Sequence, residues 1–424
     1  MNRLNRKFAL GPLAAGVKWA LSGITLLSMS AAVFAQDTPV DETTMDTVSV
    51  LGTRSKARTA TDSAVPIDII SAQELHNQGA TDVLDQLRVL VPSFNVSTIP
   101  IDDAATLVRP ANLRGLPPDN TLILVNGKRR HRSAVITFLG HGLSDGSQGV
   151  DLSVFPSIAL DQVEVLRDGA AAQYGSDAIA GVINFGLKRL GQGGMFEAFG
   201  GKYYEGDGLT QQYDAQVGLP LGETGFATFT AEYRRANATS RSVQRDDAAA
   251  AAAAGYPNVP NPAQIWGSPE VEGDKKFVAN MGIEGENFEV YLFGNIADRD
   301  TDGGFYYRNP TNRGGVYSND DGQSLLIGSP SGASCPSIAL RDAAGNLIPY
   351  ATVASQVAAL PGDCFTFLQL FTGGFTPRFG GNMRDSAVTA GIKGTWGGDW
   401  NWDLSTSYGR NDINFFMYNT VNAS

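Results

Sequence analysis

The stretch VEVLRDGAAAQYGSDAIAGVINF, residues 163–185, decides the fold. Two apolar runs flank three glycines at six-residue intervals, Gly169, Gly175 and Gly181. A strand followed by a glycine-rich turn is typical of nucleotide sites, but a phosphate-binding loop needs the pattern G-x-x-x-x-G followed by Lys. Here the first two glycines are one residue too far apart, and Ser176 stands where Lys is required. The dinucleotide pattern G-x-G-x-x-G is also absent. We therefore interpret the glycines as structural.

The N-terminus has the features of an export signal. Basic residues without acids precede an apolar stretch from Trp19 to Phe34, with small residues Val33 and Ala35 at the −3 and −1 positions. Residues 1–35 are therefore predicted to be a signal peptide. The alternative, a membrane anchor, needs about 20 apolar residues, and this run is shorter and broken by polar residues. No later stretch predicts a spanning helix, although barrel strands need only about 9 to 11 alternating residues each.

The composition excludes several classes of function. The formal net charge is −11, which argues against a nucleic-acid partner, since phosphate binding requires clustered Lys and Arg. The two cysteines, Cys335 and Cys364, predict one disulfide in an oxidising compartment, with metal binding as the weaker alternative. The three histidines (His76, His131, His141) lack the spacing of metal ligands, and no G-x-S-x-G frames a nucleophile. We expect no catalytic residue, no metal and no cofactor.

Residues 36–190 form two regions of different character. Residues 36–62 are polar apart from the β-prone patch DTVSVLG, which predicts a flexible arm. Residues 63–190 alternate strand-like runs with two short helices and predict an α+β domain.

Local signals place the elements of that domain. Ser71 and Glu74 match a capping box for the first helix, and Thr81 is the expected N-cap of the second. The apolar face of the second helix comprises Val83, Leu84, Leu87, Leu90 and Val91. The run TLILV followed by Asn126-Gly127 predicts a strand entering a tight hairpin turn.

Residues 191–424 lose the helical periodicity and alternate. Tyr213, Ala215, Val217 and Leu219 alternate with polar residues, and similar runs recur near residues 227–233, 277–283, 388–396 and 400–408. Short turns at 284–287 and 396–399 contrast with long connections at about 236–274 and 299–383. Short turns on one side and long loops on the other favour an outer-membrane β-barrel over a soluble β-sandwich. The run of alanines at 248–254 is interpreted as low-complexity loop.

The order of these segments resembles the TonB-dependent outer-membrane receptors. The resemblance rests on residues 163–185, on LRGLPPDNTLILVNGKRRH at 113–131, and on DTVSVLGTR at 46–54, which is similar to a TonB box. It implies a periplasmic arm at 36–62, a plug domain at 63–190 and transmembrane strands of a 22-stranded barrel from 191 onward. Only about seven strands fit into residues 191–424, so the sequence predicts an incomplete barrel and an N-terminal or truncated part of a receptor.

The resemblance also implies roles for individual residues. The TonB-binding segment would be Asp46, Thr47, Val48, Ser49, Val50 and Leu51. Candidate ligand-binding residues at the outward apex of the plug are Arg114, His131, Arg132, Phe138 and His141. The alternative for the neighbouring Arg129 and Arg130 is pairing with acids on the barrel wall. Gly169, Gly175 and Gly181 would permit positive φ and close approach, with AAAQY as a helical turn for tight contact.

Two further residues of the motif, Glu164 and Arg167, are expected to pair with each other or with the barrel wall, or else to be solvated strand ends.

The first functional hypothesis is TonB-driven uptake of a small-molecule ligand across the outer membrane: siderophore-iron, cobalamin, an oligosaccharide or a peptide. The alternative is a passive channel or surface-binding protein, for which a TonB box ahead of a plug would have no use. The expected partners are the periplasmic TonB protein, outer-membrane lipid and the ligand.

Overall fold

The structure is a computed structural model that describes residues 67–96, 98–102, 105–137, 144–167, 169–397 and 400–421. The predicted signal peptide, the arm with Asp46–Leu51, and the candidate ligand residues Phe138 and His141 lie outside the described residues.

The first part of the described chain is the α+β domain, which we call the plug. Its strands are β1 (Ile67–Ser71), β2 (Phe94–Val96), β3 (Ala111–Leu113), β4 (Thr121–Val125), β5 (Lys128–Arg129), β6 (Leu160–Leu166) and β7 (Gly181–Leu187). Its helices are α1 (Ala72–His76), α2 (Val83–Leu90) and α3 (Ala171–Tyr174). A five-stranded sheet has the order β1-β6-β7-β4-β5, and β2 pairs with β3 separately. All pairs are antiparallel except β4 with β7.

The starts of the first two helices are set by side-chain caps. The Ser71 hydroxyl accepts from the backbone N–H of Glu74, and the Glu74 carboxylate accepts from that of Ser71 at 2.8 Å, which confirms the predicted capping box. The cap of α2 is Asp82 and not Thr81, because the Asp82 carboxylate accepts from the Leu84 N–H at 2.8 Å. Of the predicted apolar face, Val83, Leu84, Leu87 and Val91 are buried, and Leu90 is half-buried.

The hairpin between β4 and β5 turns at Asn126-Gly127 as predicted. Both residues have positive φ, 47° and 76°, as a tight two-residue turn requires. The Asn126 side chain accepts from Leu187 N–H and the Asn184 side chain accepts from Gly127 N–H, both at 2.9 Å. The turn is therefore tied to the end of β7.

The deciding stretch runs from β6 through α3 to β7. Gly175 and Gly181 have φ of +93° and +152°, and a Cβ at Gly181 would collide with the carbonyl oxygen of Leu166 and lie 2.8 Å from Leu113. Gly169 differs from the expectation, because its φ is not in the positive region and a Cβ would lie 3.4 Å from its nearest neighbour. The helical turn α3 forms, but it buries no residue, so it does not make the tight contact that its alanines suggested.

The charged residues of the motif pair within the plug. Arg167 donates to Asp68 of β1 at 2.8 Å, and Glu164, only 3% exposed, accepts from Gln162 and Asn184 at 2.8 and 3.0 Å. The plug itself therefore supplies these partners.

Seven antiparallel strands follow in sequence order, and we call them the wall. They are β8 (Gly194–Gly201), β9 (Thr210–Leu221), β10 (Gly225–Ala236), β11 (Glu270–Glu284), β12 (Phe288–Gly304), β13 (Arg378–Trp396) and β14 (Trp400–Tyr418). The predicted count of seven is confirmed, although β12 and β13 extend further into the long connection than expected. In the described part of the chain β8 and β14 each pair on one side only, so the sheet is an unclosed barrel segment.

The two ends of the wall differ in their connections. Short turns at 222–224 and 285–287 lie at one end, together with the last residues of β13 and the first of β14, and we call it the inward end. Connections at 202–209, 237–269 and 305–377 lie at the other, the outward end. One face of the wall exposes apolar side chains and the other buries polar ones against the plug, as alternation requires. No helix in the described ranges has the length and apolar character needed to cross a membrane.

The two longest connections fold together at the outward end. The alanine run forms helix α4 (Asp246–Ala253), and 305–377 contains α5 (Tyr350–Ala358). Ala251, Tyr317, Leu340 and Val353, all 0% exposed, share one apolar cluster. The alanine run is thus a packed helix and not a featureless loop. Cys335 and Cys364 form a disulfide within the second connection.

Candidate functional site

The candidate site is the interface between the plug and the concave face of the wall. At mid-height it centres on Asp385 of β13. The Asp385 carboxylate accepts from Arg130 and from Asn295 and Asn411, the latter two at 3.0 Å each, and lies 2.9 Å from the His131 ring. The side chains of Arg130 and Asp385 are 6% and 5% exposed. Burial lowers the pKa of Arg130 despite the opposing effect of Asp385.

Further polar contacts join the two parts near the inward end. Lys128, next to the β4–β5 turn, pairs with Asp403 of β14 at 2.7 Å, and Tyr291 donates to the same carboxylate at 2.6 Å. Arg189, just after β7, pairs with Glu284 and Glu289 at 2.8 and 2.9 Å. The plug therefore has charged contacts with the wall both at the β4–β5 turn and just after β7.

An apolar contact lies between these polar groups. Val278, Tyr291, Phe293 and Ala297 of the wall belong to the same buried cluster as the plug core. Within that cluster the rings of Phe155 and Phe185 stack at 5.4 Å between centroids. The plug thus uses β11 and β12 as the continuation of its own core.

A cavity of about 540 Å³ lies at the outward end, between α2 with the segments 98–99 and 106–109 and the ends of β8–β12. We call it the outward cavity. Arg109 contacts Asp82 at 3.2 Å and Asp85 at 3.1 Å. Arg299 donates to Leu107 O at 2.8 Å and lies 3.4 Å from Asp151. The cavity therefore contains cations that already have carboxylate partners.

The electrostatics of the cavity floor follow from burial and charge. Burial acts to raise the pKa of Asp82, but Arg109, Lys276, Arg234 and the Leu84 N–H outweigh it and lower that pKa to about 2. Burial acts to lower the pKa of Arg109, but the Asp82 and Asp85 carboxylates outweigh burial, so that the pKa of Arg109 is raised. Asp82 is therefore both the cap of α2 and a fixed negative charge at the cavity.

The described candidate ligand residues do not line the outward cavity. His131 contacts Asp385 at mid-height, and Arg132 is exposed with its guanidinium 3.6 Å from Asp177. Arg114 is exposed in a turn with φ of 55°. The alternative of pairing with the wall holds for Arg130, whereas Arg129 pairs with Asp177 inside the plug. Within the described residues no group of three or more His, Cys, Asp or Glu is placed to hold a metal ion.

Sequence reasoning missed the wall residues that face the plug. Asp385, Asp403 and Arg299 lie at strand positions that face the plug, where an ionisable side chain requires a partner. The available signal was their charge at positions that the strand alternation places on the side of the plug.

Comparison with known proteins agrees with this arrangement. Residues 59–182 match the family model described as TonB-dependent Receptor Plug Domain. The chain carries the plug domain of a TonB-dependent outer-membrane receptor. A ferrienterobactin receptor of Escherichia coli is 30% identical over 192 residues, which are 44% of this chain and 24% of the relative. A ferric enterobactin receptor of Pseudomonas aeruginosa is 29% identical over 175 residues, 41% and 23% respectively.

The similarity of fold extends beyond the plug domain. A solved structure of a variant ferric enterobactin receptor from Pseudomonas aeruginosa, in complex with enterobactin, aligns with a TM-score of 0.50 at 16% identity. The alignment covers 83% of this chain and 42% of that one. The match therefore includes wall strands as well as the plug. The chain spans about a quarter of the length of the curated relatives it matches.

Proposed function

We propose that this chain acts in TonB-driven uptake of a scarce small-molecule ligand across the outer membrane. The observation that carries the proposal is the plug held by buried charge against the concave face of the wall. A plug that blocks a barrel must be displaced for a ligand to pass, and displacement of buried ion pairs requires work. An external energy source is therefore needed.

The proposed energy source is the periplasmic TonB protein. In the proposal the segment Asp46–Leu51 pairs as an added strand with TonB, since β-prone residues in a polar arm suit strand addition. The export signal at 1–35 would bring the chain across the inner membrane. The passive-channel alternative requires neither segment. The proposal includes no catalytic role.

The ligand class is suggested by the relatives, whose names specify ferric enterobactin or ferrienterobactin. We propose an iron chelate as the first ligand to test. Radiolabelled ferric enterobactin uptake would be measured in cells that produce the receptor, with and without the TonB protein. Uptake that depends on both supports the proposal. Equal uptake without TonB would indicate a passive pore, and binding without uptake in either strain would indicate a surface-binding protein.

A further inference from the structure

Asp151 is a buried carboxylate of the plug that faces the wall and has no part in the uptake mechanism as described so far. It precedes the short turn Leu152–Val154 and is only 4% exposed. One carboxylate oxygen accepts from the backbone N–H of Ser153 at 3.0 Å and from the Ser153 hydroxyl at 2.5 Å. The other lies 3.4 Å from the guanidinium of Arg299 on β12. This ion pair is long compared with the usual separation of about 2.7 to 2.9 Å for a charge-assisted hydrogen bond.

The guanidinium of Arg299 is divided among several acceptors. It donates to the Leu107 carbonyl at 2.8 Å and to the Ser153 hydroxyl, and lies 3.3 Å from the Met383 sulfur. The Ser153 hydroxyl stands between the two charges, since it donates to Asp151 and accepts from Arg299. Because Arg299 makes its shorter hydrogen bonds to neutral acceptors, it compensates the charge of Asp151 only in part.

The other arginines near Asp151 already have carboxylate partners. The charged groups that act on Asp151 from the surrounding elements are Arg299 and Asp385 of the wall and Arg109 and Arg130 of the plug. Arg130 is paired with Asp385, and Arg109 is paired with two carboxylates in the first turn of α2. Four carboxylates therefore share three arginines in this part of the described chain, and Asp151 has the weakest pairing.

This environment also determines the pKa of Asp151. Burial raises that pKa, and the Arg299 and Ser153 contacts offset only part of the effect. The nearby Asp385 carboxylate raises it further. A carboxyl group whose pKa is raised in the seated plug stabilises the seated state while it is protonated, and this contribution is lost as the pH rises through the raised pKa. Ionised Asp151 therefore opposes seating of the plug.

We infer that Asp151 sets how easily the plug leaves the wall, because its poorly compensated charge lowers the work of displacement. The Arg130–Asp385 pair does the opposite and holds the plug in place. If every buried ion pair were as well satisfied, release would be slow, since separating such pairs is costly. Asp151 is thus a positioning residue that acts through Arg299. The inference rests on the proposed uptake function and names a residue that tunes its release step.

The test compares Asp151→Asn with the wild-type full chain in detergent micelles. Asparagine keeps an acceptor for the Ser153 N–H and removes the charge. Amide hydrogen exchange in residues 150–155 and in β7 should therefore slow by roughly fivefold, because replacing a poorly compensated buried ion is commonly stabilising. Asp385→Asn should speed the same exchange, and Asp412→Asn on the other face of β14 is the control that should leave it unchanged.

A second measurement follows the pH. The difference in exchange between the wild type and Asp151→Asn should shrink between pH 7.5 and pH 4.5, because wild-type Asp151 takes up a proton and then matches asparagine in charge. His131, which contacts Asp385, is present in both proteins, so its own titration cancels in this comparison. In cells, Asp151→Asn should lower the maximal rate of TonB-dependent ferric enterobactin uptake at unchanged ligand affinity.

Three results would overturn the inference. Equal or faster exchange in Asp151→Asn would show that the charge does not oppose seating. A difference that is the same at both pH values would show that the charge is not its cause. An unchanged maximal uptake rate despite slower exchange would separate Asp151 from release. Uptake by the wild type that needs no TonB would instead remove the proposed function, while the exchange experiments would still decide whether Asp151 opposes seating.

Discussion

Arg130 of the plug and Asp385 of the wall form an ion pair in which both side chains are nearly inaccessible to solvent. The two residues are 255 positions apart in the chain. The Asp385 carboxylate also accepts hydrogen bonds from Asn295 and Asn411 and contacts the His131 ring. A buried carboxylate with these partners fixes how the plug sits against β12–β14, because any other position would leave a buried charge without a partner.

Asp385→Asn should loosen the plug. The change leaves the Arg130 guanidinium buried without its counter-charge, a loss of about 3 to 5 kcal/mol for buried pairs. Limited proteolysis should then cut plug segments that are protected in the wild-type protein. Asp412→Asn, which removes a 44% exposed carboxylate paired with Arg410 on the other face of β14, is the control and should keep protection. Equal protection in both variants would show that Asp385 does not hold the plug.

Val48→Pro tests the arm. Strand addition uses backbone N–H groups, and proline removes one while leaving ligand contacts untouched. Uptake should be abolished with ligand binding intact. Val48→Ala keeps the N–H and should transport nearly normally. Normal uptake by the proline variant would mean that the segment does not pair with TonB.

Gly181 should be required for folding of the plug. A Cβ there would meet the Leu166 carbonyl and Leu113, and φ of +152° is unfavourable for any side chain. Gly181→Ala should therefore lower receptor abundance in the outer membrane. Gly169→Ala is the matched control, since its φ is ordinary and its Cβ would have only one neighbour, at 3.4 Å. Normal abundance of Gly181→Ala with lost ligand binding would instead place the motif in a ligand site.

These residues also show which features the sequence could predict. The Asn126-Gly127 turn and the Ser71–Glu74 capping box depend on neighbours within a few positions, so local chemistry was sufficient. The cap of α2 was misplaced by one residue because Thr81 and Asp82 are both good caps, and only the backbone geometry selects between them. The partner of Arg130 could not be found, since pairing across 255 positions depends on how the wall curves around the plug. The packed core of 237–269 with 305–377 was likewise missed, because it follows neither helical nor strand periodicity.

The disulfide should stabilise the outward connection 305–377. Closing a loop of this length between Cys335 and Cys364 contributes about 3 to 4 kcal/mol in the chain-entropy model. Cys335→Ser should speed amide hydrogen exchange in α5 and leave exchange in the plug strands unchanged. Two free thiols in mass spectra of exported, unreduced protein would contradict the pairing itself.

Asp82 is both the N-cap of α2 and an ion-pair partner of Arg109, and two variants distinguish these roles. Asp82→Asn keeps an N-cap acceptor for Leu84 but removes the charge facing Arg109, whereas Asp82→Ala removes both. The alanine variant should therefore be less stable than the asparagine variant by about 1 kcal/mol, the usual value of a cap.

The same residue predicts a pH dependence with a definite sign. The pKa of Asp82 is depressed in the folded protein to about 2 from an ordinary 3.8, so its stabilisation is fully present above pH about 4 and is lost as the pH falls toward 2. Unfolding of the unchanged chain and of Asp82→Asn should be compared at pH 6 and pH 3. The stability difference between them should shrink at the lower pH, because the carboxyl group becomes partly protonated in the unfolded chain. A difference that stays constant between the two pH values would mean that Asp82 stabilises the plug through its cap and not through its charge.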